Sequence, residues 1–160
     1  MNQIQNNPFR YLGLLLNAKG ADIRRQSTRI VRYLEAEQEP KEDVSCPSLG
    51  DLNRSIDGVS EAGSNINLDK DKITSALFWF YSDNSITDEP AFDALKDGDI
   101  ELAVRIWKKT TGDFDLNTLK DVSKRNSSAY SNLATLYLSG SIGATPYKKC
   151  FEIGISLKLR

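Results

Sequence analysis

Carboxyl groups, amines, guanidinium groups and two thiols are the reactive side chains this sequence offers, and what it lacks constrains the chemistry more than what it holds. Its 160 residues include 22 acidic and 21 basic side chains, two cysteines and no histidine. Histidine is the commonest general base, metal ligand and triad member, so Ser-His-Asp, Cys-His and His-metal arrangements are all excluded within the chain. Cys46 and Cys150 stand far apart, with no Cys-x-x-Cys spacing, so neither a zinc site nor a disulfide framework is indicated. Two lone thiols fit a reducing compartment and behave as small buried hydrophobes. Asp69-x-Asp71 and Asp97-Gly98-Asp99 resemble the start of calcium loops, but the twelve-residue spacing with its final Glu is not completed. Neither a Gly-x-x-x-x-Gly-Lys phosphate loop nor a Gly-x-Gly-x-x-Gly turn is present. A pair of carboxyl groups could still hydrolyse a glycoside, yet nothing singles out two of the 22 acids. The expectation is a chain that binds without turning over a substrate and that holds neither cofactor nor metal.

Charge balance argues in the same direction. A net charge of -1 gives no global attraction to nucleic acid or to an anionic membrane, so a charged partner must be met by a local patch. The polar start from Met1 to Pro8 lacks the charged opening and apolar run of a secretory signal. The apolar stretch around Leu14 to Leu16 is far too short to span a bilayer. These features place the chain in the cytoplasm, where the sequons Asn53-Arg54-Ser55 and Asn126-Ser127-Ser128 carry no meaning.

The elements that must position any patch are all helical. Asn7-Pro8 opens a short helix with Phe9, Leu12 and Leu16 on its inner side. Between Asp22 and Glu37, Ile23, Ile30, Val31 and Leu34 share one face at 3.6 residues per turn, with Arg25, Arg29 and Arg32 on the other. Prolines, glycine and charge between Glu39 and Gly50 mark a loop. Leu52, Ile56 and Val59 resume helical spacing until Gly63-Ser64-Asn65. Ile73, Ala76, Leu77 and Phe80 repeat it within the aromatic run Phe78-Trp79-Phe80-Tyr81, which is expected to fill much of the core.

After the Asp83-Asn84-Ser85 turn, Thr87-Asp88-Glu89-Pro90 carries helix-start chemistry. Gly98 reads as the turn of an αα-hairpin between Ala91, Phe92, Leu95 and Ile100, Ala103, Val104, Trp107. Leu116, Leu119 and Val122 suggest a further short helix, and Tyr130, Leu133, Leu136 and Tyr137 another. Laying Gly98 over Gly140 gives a weak repeat, compatible with a solenoid unit of roughly 34 to 47 residues. The final segment Ile153 to Arg160 is amphipathic with no cap or stop, as expected of a chain cut from a longer protein.

Phe9-Arg10-Tyr11-Leu12-Gly13, followed by Ala18, by Asp22-Ile23-Arg24-Arg25 and by a basic amphipathic helix, resembles the opening of a J-domain. Leu52, Ile56, Val59, the run Leu68 to Lys72, and Ala76 are similar to that family's third helix and the start of its fourth. The resemblance implies a J-like helical region over residues 7–82. It also implies a protein partner, a heat-shock chaperone, met by Arg25, Arg29 and Arg32. The family triggers its partner's ATP hydrolysis with a His-Pro-Asp tripeptide, and Glu35-Ala36-Glu37 stands near that position here, so the stimulatory activity does not carry over. Residues 87–160, with Leu95 to Val104, Trp107 and Tyr130 to Tyr137, resemble degenerate tetratricopeptide-type units. That resemblance implies a peptide-binding groove touching Trp107, Tyr130 and Tyr137, although aromatics at helical spacing more often only hold helix against helix. The combination is also similar to Bacteroides-type proteins that begin Asn-Pro-Phe/Tyr-Arg-x-Leu-Gly. The expectation is an all-α chain, a J-like hairpin followed by a helical bundle or short α-solenoid. It would act as a non-catalytic interaction module of the co-chaperone type or as a structural scaffold.

Overall fold

The computed structural model of the chain describes residues 2–40, 44–67, 69–113, 118–143 and 145–160. Every regular element among the described residues is a helix: α1 (Asn2–Gln5), α2 (Pro8–Tyr11), α3 (Gly20–Glu35), α4 (Ile56–Asn67), α5 (Asp69–Leu77), α6 (Ser85–Lys96), α7 (Ile100–Thr111), α8 (Ser127–Ser139) and α9 (Tyr147–Lys158), with a 3-10 turn at Pro47–Leu49. They form two compact units, Asn2–Trp79 and Phe80–Arg160. The division falls inside the aromatic run Phe78-Trp79-Phe80-Tyr81.

In the first unit, Asn7 caps α2 by accepting from the Phe9 N–H at 3.0 Å, and its amide donates to the Ser75 carbonyl at 2.9 Å. Ile4, Phe9, Leu12, Ile23, Ile30, Leu49, Val59, Ala62, Ile66 and Trp79 make the core. The α3 helix ends in the left-handed conformation at Glu37, φ 55. The Gln38 N–H reaches back to the Tyr33 carbonyl at 2.8 Å and the Glu37 N–H to Leu34 at 3.0 Å, which is the pairing of a Schellman end.

Two expectations change here. The α4 helix does not stop near Gly63 but continues to Asn67, because Val59, Ala62 and Ile66 bury one face. That burial outweighs the ~1 kcal/mol helix cost of a glycine. The second change concerns the aromatic run, which is not helical. The α5 helix closes before it and leaves Ile73 and Leu77, expected core residues, 65% and 54% exposed. Trp79 is fully buried and donates its indole N–H to the Leu14 carbonyl at 2.7 Å, a bond the irregular backbone can reach.

In the second unit, α6 begins at Ser85 behind an Asn84 cap, two residues before the expected start at Thr87. Phe80, Phe92 and Trp107 form an aromatic cluster, with ring centroids 5.6 to 6.4 Å apart. Asp88, wholly buried, sits beside it. One carboxyl oxygen accepts from the Trp107 indole at 2.9 Å, and the other accepts from the backbone N–H groups of Asp83 and Asn84, each at 2.9 Å.

Gly98 makes the αα-hairpin turn with φ 81, and Asp99 then caps α7 by accepting from the Leu102 N–H at 2.9 Å. The next helix, α8, packs against α6, α7 and α9. Its one wholly buried amide, Asn132, pairs with both backbone groups of Tyr81, at 3.1 and 2.9 Å. At Gly154 the α9 backbone approaches α8 so closely that a Cβ would stand 3.1 Å from the Ala134 carbonyl and 2.6 Å from the Leu138 side chain. The helix expected from Leu116, Leu119 and Val122 is not found among the described residues. Leu116 lies outside them, and 118–126 is irregular, folded back by the Lys120 N–H on the Thr111 carbonyl and by Asn126 on Ser123. In the repeat alignment Leu95 and Tyr137 are both buried, and Gly140 is left-handed like Gly98, but Ile142 falls in a connector, unlike Ile100.

Asp88→Ala leaves an indole and two backbone N–H groups without their acceptor, and is expected to cost roughly 3–5 kcal/mol in urea denaturation. A loss under 1 kcal/mol contradicts this account. Glu37→Gly relieves the left-handed strain on a non-glycine residue and is expected to raise stability by about 1 kcal/mol, read from the thermal midpoint.

Candidate functional site

The sequence-predicted basic residues come together on α3. Its core side holds Ile23 and Ile30, so the 3.6-residue period leaves Arg25 and Arg32 exposed and Arg29 half-buried on the other side. They line a shallow depression of about 610 Å³ with Arg24, Thr28 and Tyr33. Arg25 pairs with Asp22 at 2.8 Å, an exposed contact of i,i+3 spacing. The Arg29 guanidinium lies 5.7 Å from the centre of the Tyr33 ring, a cation-π contact that fixes its direction. Arg24 and Tyr33 complete the patch. Their signal was present in the sequence, since Arg24 precedes Thr28 by four residues and Tyr33 follows Arg29 by four, the spacings that share a helix face. At the far end of α3, Glu35-Ala36-Glu37 forms the helix exit, with two acids and no imidazole.

Trp107, Tyr130 and Tyr137 behave differently, and the expectation that they line a groove is corrected. Trp107 is wholly enclosed, and Tyr130 and Tyr137 are at most 5% exposed. The Tyr130 hydroxyl donates toward the carbonyls of Thr111 and Lys120, tying the irregular 118–126 segment to α8. These rings hold helix against helix because α8 is covered on every side, which removes any face they could offer a partner.

A second concavity, about 460 Å³, lies beside α2 and α4 and includes Arg10, Tyr11, Asp51 and Glu61. Arg10 is 1% exposed, and its guanidinium is committed to three backbone carbonyls, Ser45 at 2.9 Å, Gln5 at 2.9 Å and Gly50 at 2.5 Å. It therefore holds the loop in place and is not presented to a ligand. No group of three or more Cys, Asp or Glu side chains is placed to hold a metal ion among the described residues. No helix among them is long and apolar enough to cross a membrane.

Burial sets the unusual acidities in the second unit. It pushes the Tyr137 phenol up to about 12 and raises Tyr81, Tyr130 and the Cys150 thiol. It also lowers the Lys158 ammonium to about 8. Lys158 donates to the Ser131 hydroxyl at 2.8 Å and has no carboxyl partner among the described residues.

No protein-family model, curated protein or solved structure matches this chain. The J-domain and tetratricopeptide resemblances therefore rest on the quoted residues alone.

The acidities fix a pH profile. In the folded protein Lys158 releases its proton near 8, in the unfolded chain near 10.5, so between those values the unfolded state binds more protons and stability rises with pH. Tyr137 acts oppositely, because the unfolded chain ionises first near 10.0 while the folded protein holds the proton to about 12, so stability falls across that window. Urea midpoints are expected to climb from pH 8 to about 9, where the Cys150 thiol of the unfolded chain begins to ionise ahead of the folded one and offsets the gain, and to decline above about 10. Lys158→Met should remove the climb and raise stability below pH 8; a wild-type profile flat from pH 7 to 9 would contradict this assignment.

Proposed function

We propose that this chain is a non-catalytic protein–protein interaction module of the co-chaperone type, which presents the basic face of α3 to an acidic surface on a protein partner. The observation that carries the reading is the patch of Arg24, Arg25, Arg29 and Arg32 on the outward side of a helix whose inward side is core. A guanidinium presents several N–H donors in a fixed fork suited to carboxylates, and four within about three turns favour a surface of clustered Asp and Glu. The order of elements in the first unit supports the chaperone link: a short α2, a long basic α3, a connecting segment, then α4 and a short α5. A heat-shock chaperone is the first partner to test. Glu35-Ala36-Glu37 in place of His-Pro-Asp makes this a module that docks without triggering hydrolysis. Two buried thiols, Cys46 and Cys150, suit work in the reducing cytoplasm.

A second reading, a structural scaffold with no chaperone link, draws on the second unit, where Trp107, Tyr130 and Tyr137 serve packing. One titration separates the two. The chain is added to the host's major heat-shock chaperone while binding is followed at low and high salt and ATP turnover is recorded. The docking reading expects salt-sensitive binding, no rise in turnover, and a loss of affinity of at least about tenfold when Arg25, Arg29 and Arg32 are changed together to Glu. Binding unaffected by salt and by the triple reversal, or no binding, favours the scaffold.

A further inference from the structure

The second unit carries a groove of about 690 Å³ along α7, bounded by the α6–α7 turn and by the 141–143 connector. Its floor is aliphatic, from Ile100, Val104 and Ile142, each half-buried. Its charges are ordered along the helix. Asp97, Asp99 and Glu101 stand at the N-terminal end of α7, and Arg105 and Lys108 stand toward its C-terminal end. Some of these are already engaged. Asp99 caps α7 and Lys108 lies 3.5 Å from Asp113. Glu101 and Arg105 are different: both are exposed, and neither makes an ion pair or hydrogen bond with a described residue, although they sit one turn apart in the order that favours an intrahelical pair.

We infer that this face of α7 is a self-association surface, and that its occupant is the α7 of a second copy of this chain, docked antiparallel about a two-fold axis. The argument is one of symmetry. An acidic end and a basic end on one stripe become self-complementary when the stripe meets itself reversed. A two-fold at the level of residue 103 sets Glu101 of each copy opposite Arg105 of the other and brings Lys108 toward the acidic α6–α7 turn. Val104 then meets its own counterpart on one side of the axis, with Ile100 farther out along the stripe, and the exposed Leu102 meets its counterpart on the other. Such an interface is isologous and closes at two copies, and the antiparallel arrangement also opposes the helix dipoles. A partner of uniform charge fits less well, because it would satisfy one end of the stripe and be repelled by the other. One helix per side is a small contact, so the dimer is expected to be weak, with a Kd on the order of tens of micromolar.

Sedimentation equilibrium of the full chain from about 5 to 500 µM, spanning that range, is the test. Wild type is expected to move from monomer to dimer across it. Glu101→Arg and Arg105→Glu alter exposed side chains, and circular dichroism checks that each variant keeps the wild-type helix content and melting midpoint. Each alone places like charges opposite one another twice and is expected to weaken association by more than about tenfold. An equimolar mixture of the two restores both opposite-charge pairs and is expected to recover a one-to-one heterodimer near wild-type affinity. Glu101→Gln and Arg105→Gln, which remove charge without reversing it, should weaken association by a smaller factor. A wild type that stays monomeric overturns the inference and leaves the groove to a different polypeptide. Dimers that both reversals leave intact, or a mixture that fails to associate, overturn it as well.

Discussion

The fold of the second unit depends on a polar group that has no water to turn to. Asp88 lies in the interior beside Phe80, Phe92 and Trp107, where an unsatisfied acceptor costs on the order of 1–3 kcal/mol. Its partners are the indole of Trp107 on α7 and two backbone N–H groups of the segment entering α6. One carboxyl group therefore fixes where α6 begins, how α7 lies across it and how the 80–84 segment enters the core. Asn132 does comparable work from α8, since its amide answers both backbone groups of Tyr81 in place of a neighbouring strand. With those contacts in place, α8 can be covered on all sides, and the close approach at Gly154 lets α9 seal it.

Irregular backbone in the first unit is held by the same physics with the opposite group. Arg10 is buried among carbonyls, its guanidinium replacing water for Gln5, Ser45 and Gly50. Arg54 adds a bond to the Tyr11 carbonyl at 2.8 Å, and the Trp79 indole takes that of Leu14. Buried donors fixed by packing thus stand in for regular hydrogen-bond ladders where the chain has none. The remaining arginines of this unit are outside, on α3, where exposed ion pairs contribute little to stability.

Periodicity on its own settled the helical class and most of the longer helices, because the 3.6-residue pattern of Ile23, Ile30 and Leu34, or of Ala103 and Trp107, is a property of one segment of chain. The Asn7-Pro8 start, the Gly98 turn and the basic side of α3 were legible for the same reason: each follows from backbone preference or from spacing along one helix. Missing histidine likewise removed whole classes of chemistry before any coordinate was needed. What only the tertiary structure decided is where local signals compete. Gly63 does not end α4, because burial outweighs helix propensity, and the aromatic run leaves the helix, because Trp79 and Phe80 serve two different cores. Trp107, Tyr130 and Tyr137 turn inward because α8 is enclosed, and Arg10 is interior because the carbonyls of Gln5, Ser45 and Gly50 converge on it. Burial and polar satisfaction are sums over residues far apart in the chain, and spacing along one segment cannot express them.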